Sequence, residues 1–350
     1  MSNNLALAHI KEMRAYPVHN ERCSGGIVNL DFNERVSDHA VENQLRCSYP
    51  EYGQLTAAIA NYSAVNVENV LPCNGSDQAI DLVLRTFAES GAEIIIPQPS
   101  FAMYPQWAAV NRLKVITPVY NYGYSSYPLQ QVLDGITPAT RVVIVCNPNN
   151  PTGAQTGLAT IERLAATAPD TIIFVDEAYG EYSNVSAINL LAKYPNIIIT
   201  RTFSKAFGLA GHRIGYILAS PSHIAELRKV RGPFDVNTGA VAAVLQSLAD
   251  TSSMHSYCQE VMTVAKPLVE GELARLGITY LPSAANFLLI QHPFAETIAD
   301  QLMQSGWRVK TLQLDGLGSC LRVTIGPLEK MQQWLAALSK IISGQVQNDV

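Results

Sequence analysis

Short runs of β-branched and other apolar residues alternate with amphipathic patterns up to about residue 220. The apolar runs predict strands at 93–96, 114–119, 142–146, 172–176, 197–201 and 214–219. The amphipathic stretches predict helices, among them 77–89 and 160–168. Continuous apolar strands separated by helices are typical of a mainly parallel sheet covered on both faces. In such sheets ligands bind at the carboxyl ends of the strands.

The pattern changes after about residue 236. A long helical stretch begins at Asn237, and short strands are predicted at 278–281, 286–291, 309–311 and 320–324. A last amphipathic helix is predicted over 329–343. The first forty or so residues are irregular and rich in turn formers, which indicates an arm. We therefore predict an N-terminal arm over 1–40, a large domain over 41–236 and a smaller α/β domain over 237–350.

Composition excludes several classes of protein. The chain has 350 residues, of which 48% are hydrophobic and 15% charged, so it can bury a large core. A net charge of -5 and the lack of a basic run argue against binding to nucleic acid or to an anionic membrane. The N-terminus is too mixed for a signal peptide, and no apolar stretch has the length of a membrane span.

The cysteines and histidines are scattered. None of the six cysteines forms a Cys-x-x-Cys pair, which favours reduced thiols in a cytoplasmic protein. The seven histidines show no ligand spacing, so we expect no metal site.

The segment around Lys205 is the most informative one in the chain. Lys205 follows Thr202 and Ser204 and stands eight positions before Arg213. A partly desolvated lysine near other cations is neutral often enough to attack an aldehyde carbon. A guanidinium and two hydroxyls are donors that suit a phosphate monoester. An aldehyde-binding lysine beside a phosphate site indicates pyridoxal 5'-phosphate, whereas the alternative for this segment alone is a basic surface loop.

A carboxylate and two further polar side chains suit the ring of that cofactor. Asp176 ends an apolar predicted strand, and a buried carboxylate needs a cation or a donor as its partner. A protonated pyridine nitrogen is such a partner, and its protonation makes the ring an electron sink. Tyr179 and Asn150, the latter held between two X-Pro steps, can donate to the 3'-oxygen. The alternative, taken alone, is that Asp176 caps a helix and Tyr179 packs in the core.

A short polar segment precedes the helix predicted from residue 77, and it consists of Asn74, Gly75, Ser76 and Asp77. N–H groups at a helix start bind phosphate well, although an N-cap without a ligand is the alternative. Tyr104 follows another predicted strand and can either stack on a flat ring or pack in the core. Arg322 lies in an apolar strand, so it needs an anion, which is either a substrate carboxylate or an internal one.

Together these motifs resemble the fold-type I pyridoxal-phosphate aminotransferases, and among them the histidinol-phosphate aminotransferase family. The matching motifs occur in order over nearly the whole chain, at 16–17, 33–34, 49–51, 74–77, 104, 147–153, 176–179, 204–205, 213 and 321–326. The resemblance implies an α/β fold with a large, mainly parallel α/β/α sandwich domain that binds the cofactor and a smaller C-terminal α/β domain. It also implies a homodimer with shared active sites, in which the N-terminal arm packs with the small domain and the dimer partner.

The resemblance further implies roles for single residues. Lys205 carries the Schiff base, and with Asp176 and Tyr179 it forms the catalytic set. Tyr49 reaches the phosphate across the dimer interface. The implied cofactor-binding set is Gly75, Ser76, Asp77, Tyr104, Asn150, Asp176, Tyr179, Thr202, Ser204, Lys205, Arg213 and Tyr49. The implied substrate-binding set is Tyr16, Asn33, Asn150, Arg322 and Lys310.

The expected reaction transfers an amino group between glutamate or 2-oxoglutarate and a second amine, with histidinol phosphate as the first candidate. Arg322 is expected to take the α-carboxylate of the amino-acid partner. Two departures from the family pattern concern the second substrate. Asn33-Glu34 is followed by Arg35-Val36 instead of Asn-Pro, and Lys310, two residues after Arg308, replaces a second substrate arginine. Because lysine lacks the guanidinium fork, the alternatives are an aromatic or specialised amino acid as substrate, or an enzyme similar to threonine-phosphate decarboxylase.

Overall fold

A seven-stranded sheet forms the centre of the large domain. The structure is a computed structural model that describes residues 4–15, 50–121 and 123–346. The sheet has the order β1-β7-β6-β5-β4-β2-β3. Its strands are β1 (Val70–Cys73), β2 (Glu93–Ile95), β3 (Lys114–Ile116), β4 (Thr140–Cys146), β5 (Ile172–Asp176), β6 (Ile197–Thr202) and β7 (Gly215–Leu218). Strands β3, β2, β4, β5 and β6 are parallel, and β7 is antiparallel to both of its neighbours.

Helices cover both faces of this sheet. The helices of the described residues are α1 (Ala8–Glu12), α2 (Gly53–Ser63), α3 (Gly75–Phe87), α4 (Met103–Val110), α5 (Leu129–Gly135), α6 (Leu158–Thr167), α7 (Pro221–Val230), α8 (Thr238–Ala249), α9 (Ser252–Glu260), α10 (Lys266–Arg275), α11 (Ala295–Gln304) and α12 (Leu328–Val346). Alternate residues of a strand point to opposite faces. In β5, Ile173 and Val175 therefore pack in one apolar cluster, and Ile172 and Phe174 pack in the other. The cluster that contains Ile173 is called the upper cluster and the one that contains Ile172 the lower cluster. They lie on the two faces of the sheet and form the two halves of an α/β/α sandwich.

The small domain is built on a four-stranded antiparallel sheet of order β10-β11-β9-β8. Its strands are β8 (Thr279–Leu281), β9 (Phe287–Gln291), β10 (Lys310–Leu314) and β11 (Gly318–Thr324). Trp334 of α12 and Leu302 of α11 pack in a third apolar cluster against this sheet. None of the helices in the described part of the chain combines the length and the apolar character that crossing a membrane requires.

The predicted elements are confirmed with shifts of a few residues, and one strand was missed. Helix α3 begins at Gly75, two residues before the predicted start. Strand β1 was not predicted because Pro72 interrupts its short apolar run. Since β1 is an edge strand that pairs with β7 alone, the missing N–H of a proline is tolerated there.

The described part of the N-terminal arm packs on the large domain. Ala6 and Ile10 lie in the lower apolar cluster, and the backbone N–H of Leu7 donates to the carbonyl of Thr86 at 3.0 Å. For residues 4–15 this corrects the expectation of packing with the small domain, because their apolar side chains are buried beside α3 and α7. Residues 16–49, and with them Tyr16, Asn33 and Tyr49, lie outside the described residues.

The domain division at residue 236 stays a prediction. Helix α8 follows that position, and its residues Ala240 and Val244 pack in the upper cluster of the large domain. The C-terminal members of the small-domain cluster begin at Met254. By its packing, α8 thus belongs with the large sheet.

Candidate active site

A cavity opens where β4, β5 and β6 end. The parallel register places Cys146 beside Asp176 and Asp176 beside Thr200, so the residues that follow these strands converge at one edge. The predicted site residues that line the cavity are Ser76, Asp77, Tyr104, Asn150, Asp176, Tyr179, Thr202, Ser204, Lys205 and Arg213. The sequence therefore predicted most of this lining.

Asp176 is a buried carboxylate with two hydrogen-bond donors. The hydroxyl of Tyr104 donates to its Oδ2 at 2.7 Å, and the backbone N–H of Ala178 donates to its Oδ1 at 3.0 Å. Burial raises the pKa of Asp176 to about 6, while both donors oppose that rise. A cationic N–H in the cavity would supply the charge partner that this carboxylate needs.

Tyr104 has a different geometry from the expected stacking platform. Its side chain is fully buried, and its hydroxyl is committed to Asp176. Phe101 packs edge-on against it, with ring centroids 5.6 Å apart and planes at 86°. Phe101 also lines the cavity and is only partly buried, yet it was not among the predicted site residues. Its place just after a predicted strand, three residues before Tyr104, was the available signal.

Lys205 projects towards the cavity from the loop after β6. Its Nζ lies 5.5 Å from the centroid of the Tyr179 ring. Desolvation by the surrounding atoms lowers the pKa of Lys205, and repulsion from Arg322 lowers it further, although Asp176 opposes this. The lysine keeps access to solvent through the open cavity. A neutral, accessible amine is the form that reacts with an aldehyde.

The start of α3 and the side chain of Arg213 form an anion cradle. Gly75 has a φ of +77°, and a Cβ built there would lie 2.8 Å from Arg213 Nη2. Arg213 Nη1 lies 3.5 Å from Ser204 Oγ, and Nη2 lies 3.2 Å from Asp77 Oδ2. Helix N-terminus, guanidinium and hydroxyl are thus aimed at one volume, which suits a phosphate.

Thr202 orders the loop that carries two of the cavity residues. Its Oγ1 accepts a hydrogen bond of 3.1 Å from the backbone N–H of Ser204. Ser204 and Lys205 therefore leave the end of β6 in a defined direction. Thr202 itself is buried and lines the cavity, as predicted.

The loop after β4 holds Asn150 in place. Asn147 forms two hydrogen bonds with the backbone of Thr156. The Nδ2 of Asn147 donates to the carbonyl of Thr156 at 3.1 Å, and the N–H of Thr156 donates to the Oδ1 of Asn147 at 2.8 Å. Asn149 Nδ2 donates to Thr152 Oγ1 at 2.9 Å. These buried bonds replace backbone pairing that the irregular loop lacks. Asn150 follows directly and reaches the cavity.

Arg322 connects the small domain to this loop. Its Nη1 donates to Oδ1 of Asn150, and its guanidinium carbon lies 5.7 Å from the Phe287 ring centroid. Within the described ranges no carboxylate is within ion-pair distance of Arg322, so an internal salt bridge is not found there. Because Oδ1 of Asn150 accepts from Arg322, the amide N–H groups of Asn150 are left for another acceptor.

Lys310 lies beside Arg322 and outside the cavity lining. The two residues are directly opposite in the antiparallel register of β10 and β11, so their side chains share one face of the small sheet. Lys310 is exposed there. This was one of the predicted substrate residues, and its role stays a prediction.

Comparison with known proteins agrees with this geometry. Residues 31–338 match the family model described as aminotransferase class I and II. The histidinol-phosphate aminotransferase of Moorella thermoacetica is 35% identical over 297 residues, which cover 83% of this chain and 76% of the relative. Histidinol-phosphate aminotransferase 1 of Mannheimia succiniciproducens is 35% identical over 316 residues, which cover 87% of this chain and 85% of the relative.

A solved structure confirms the fold. The crystal structure of histidinol-phosphate aminotransferase from Sinorhizobium meliloti, in complex with pyridoxal-5'-phosphate, matches with a TM-score of 0.77 and 27% identity. The match covers 85% of this chain and 84% of that chain. The predicted fold type, enzyme class and cofactor are thereby confirmed. The chain belongs to the class I and II aminotransferases, and within them to the histidinol-phosphate aminotransferase family of pyridoxal-phosphate enzymes.

Proposed function

We propose that this aminotransferase exchanges an amino group between glutamate or 2-oxoglutarate and histidinol phosphate or a related amine. The observation that carries the proposal is the position of Arg322. Its guanidinium is bonded to Asn150 at the cavity, and within the described residues it has no carboxylate partner. Arg322 itself is not part of the cavity lining, but a substrate carboxylate bound by it would lie at the edge of the cavity that Asn150, Lys205 and Asp176 line.

The residues present fit pyridoxal phosphate at its phosphate end. Ser204, Arg213 and the first turn of α3 would hold the phosphate, with the N–H groups of Ser76 and Asp77 pointing along the helix axis. Arg213 already lies against Asp77 and Ser204. The glycine at 75 provides the close approach of backbone and guanidinium that this arrangement requires.

The residues also fit the ring of the cofactor. When bound, pyridoxal phosphate supplies an electrophilic carbon for amines and a ring that withdraws electrons from the substrate's Cα. Asp176, held by Tyr104 and Ala178, would keep the ring nitrogen protonated. Asn150 and Tyr179 would donate to the 3'-oxygen, and Phe101 would face the ring from the cavity wall.

Lys205 would serve twice. Its amine would bind the cofactor before the substrate arrives. The neutral amine of Lys205 would also accept the proton from the substrate's Cα and would give that proton back later in the transfer. A lowered pKa suits both tasks, because the attacking and the proton-accepting forms of lysine are neutral.

The second substrate is assigned from charge. Lys310 shares a face of the small sheet with Arg322, so a phosphate on the substrate would meet a cation there. An ammonium is a point charge without the guanidinium fork. For this reason an aromatic or specialised amino acid, and decarboxylation of a phosphorylated amino acid, are the competing outcomes of the test.

The test is a half-reaction screen. The purified protein is loaded with pyridoxal phosphate, mixed with one amine at a time and followed by its visible absorption band. We expect glutamate to bleach the band and yield 2-oxoglutarate, and histidinol phosphate to bleach the band and yield the corresponding ketone. Bleaching by phenylalanine but not by histidinol phosphate would contradict the phosphate assignment. Release of CO₂ from O-phosphothreonine would replace transamination by decarboxylation.

We also propose a homodimer in which Tyr49 contributes to the phosphate site of the partner subunit. The phosphate cradle is open in the described part of one chain, since Arg213 and Asp77 are each about half exposed. Sedimentation should give a dimer, and an active monomer would contradict this assignment. The cytoplasm fits as the compartment, because the four described cysteines are buried and unpaired.

A further inference from the structure

A buried ion pair lies directly behind the active site. Glu177 follows Asp176 along the chain, and Arg201 precedes Thr202. Successive residues of a strand point to opposite sides. Asp176 and Thr202 line the cavity, whereas Glu177 and Arg201 meet on the other side, with 2.8 Å between Nη2 and Oε2.

The carboxylate of Glu177 is fully satisfied. Its Oε2 accepts from Arg201 Nε at 3.0 Å and from Ser186 Oγ at 2.9 Å, in addition to Nη2. Its Oε1 accepts from the backbone N–H of Ala187 at 2.6 Å. Glu177 has no exposed surface, and Arg201 is 8% exposed. Such a pair holds its two elements in one geometry, because each bond removes a degree of freedom from both.

The backbone beside the pair is shaped to admit it. The N–H of Gly180 donates to the carbonyl of Glu177 at 2.8 Å. A Cβ at Gly180 would lie 3.3 Å from the Glu177 Cβ, which is a tight contact, and 3.5 Å from Arg201 Nη2, which is ordinary van der Waals contact. Glu181 follows and lies 3.8 Å from Arg201 Nη1. The turn after Tyr179 therefore wraps around the guanidinium.

Stability alone does not account for the pair. Removing two charges from water costs about as much as their attraction returns, so buried ion pairs contribute little net stability. The pair instead fixes the distance and the orientation between the ends of β5 and β6. The end of β5 carries Asp176 and Tyr179, and β6 leads into the loop that carries Lys205.

We propose that Glu177 and Arg201 are positioning residues, which set the Asp176–Tyr179 segment against the loop of Lys205. Neither side chain lines the cavity, so they act through the backbone of β5 and β6. The proposal rests on the roles assigned above to Asp176 and Lys205. A displacement of about 1 Å between reacting groups can cost about 100-fold in rate, so small shifts of these strand ends are felt in turnover.

The experiment compares Glu177→Gln and Arg201→Lys with a matched control, Glu226→Gln. Glu226 is also buried and pairs at 2.8 Å with Lys229, which is partly buried, but it lies on α7 and outside the cavity. Each holoenzyme is measured for its thermal midpoint, its kcat and KM for glutamate, and the pH midpoint of the visible band of the bound cofactor. That pH midpoint reports the charges around the cofactor and needs no turnover.

We expect all three variants to lose thermal stability. In Glu177→Gln and Arg201→Lys, kcat should fall by about 10- to 100-fold with KM changed much less, and the pH midpoint of the band should move. In Glu226→Gln, kcat and the pH midpoint of the band should both stay at the wild-type values. If all three variants retain the wild-type kcat and pH midpoint, the pair is structural only and the proposal is overturned. If neither Glu177→Gln nor Arg201→Lys folds, the proposal is overturned as well.

The wild type separates this proposal from the one on which it rests. The assignment of the site fails if the wild-type holoenzyme shows no visible cofactor band, or if Lys205→Ala shows the same band. If that band is present and the pair variants match the control, the assignment of the site stands and the positioning role fails.

Discussion

At the scale of single residues, the site depends on one buried carboxylate whose charge two donors stabilise. Burial raises the pKa of Asp176 to about 6, near the working pH of most enzymes, while Tyr104 and Ala178 oppose the rise. The carboxylate is therefore poised to take up a positive partner. Asp176 and Tyr104 were each predicted as site residues, but the hydrogen bond between them was not, because they lie 72 positions apart.

Removing the Tyr104 hydroxyl should shift this balance. In Tyr104→Phe the pKa of Asp176 should rise by about one to two units, because a hydrogen bond to a charged group contributes about 1.5–3 kcal/mol. The acid limb of cofactor binding should then move to higher pH. Titration of cofactor affinity against pH measures the shift. Tyr127→Phe is the control, since Tyr127 is also buried but donates to the carbonyl of Ile144, at 3.2 Å. An acid limb in Tyr104→Phe that coincides with wild type would contradict the role of this bond.

Lys205 should be indispensable. Lys205→Ala should lower turnover by about three or more orders of magnitude, because the covalent catalyst is lost. Borohydride treatment of the wild type should fix the cofactor on the peptide that contains Lys205, which mass spectrometry identifies. Lys193→Ala, which removes an exposed ion pair with Glu162, should leave both results unchanged. Cofactor fixed to another lysine in Lys205→Ala would sink the assignment.

At the scale of elements, the sequence predicted what periodicity controls. Strands β4 to β6 are buried almost throughout and carry long apolar runs, since helices cover both faces of the sheet, and their positions followed from those runs. The residues that follow these strands could then be placed at one edge. Helix starts are harder to predict from sequence, as α3 shows. Asn74 at its N-cap makes no side-chain capping bond, and the helix begins with Gly75 in a left-handed conformation.

Gly75 can be tested against a second glycine of similar backbone. Gly75→Ala should weaken cofactor binding, because the new methyl group would displace Arg213 from the cradle. It should also lower stability by about 1–3 kcal/mol through backbone strain. Gly91 has a φ of +88° with no atom within 4 Å of the added Cβ, so Gly91→Ala carries the strain alone. We expect both variants to lose stability and only Gly75→Ala to lose cofactor affinity, as measured by equilibrium titration. Equal affinities would contradict the cradle.

At the scale of the whole molecule, the site is completed by contacts between distant parts of the chain. Arg322 meets Asn150 across 172 positions, and Glu177 meets Arg201 between two strands. Periodicity predicts the strands near these residues, but it does not give the partner of each residue, because partner choice is set by the packing of segments that are distant in the chain. The resemblance to a family supplied roles for Arg322 and Asn150, and their direct contact came from the structure alone.

Packing of the large domain also makes its stability depend on pH through His223. This side chain is fully buried against the Phe87 ring, with centroids 4.9 Å apart. Burial lowers the pKa of His223 from 6.5 to about 4, although Glu226 opposes the shift. Because the folded-state pKa is the lower one, the unfolded chain takes up the proton first as the pH falls. Stability should be complete above about pH 6.5 and should decline as the pH falls towards 4.

The loss below pH 6.5 should approach about 3 kcal/mol, at about 1.4 kcal/mol for each unit of pKa difference. His223→Leu removes the titrating group and should flatten the pH dependence of the free energy of unfolding between pH 6.5 and 4. Chemical denaturation at several pH values measures this, at matched ionic strength. His255→Leu, at an exposed position, should keep the wild-type slope. An equally steep decline in His223→Leu would show that other groups govern the acid sensitivity, since a leucine in that place has no proton to gain.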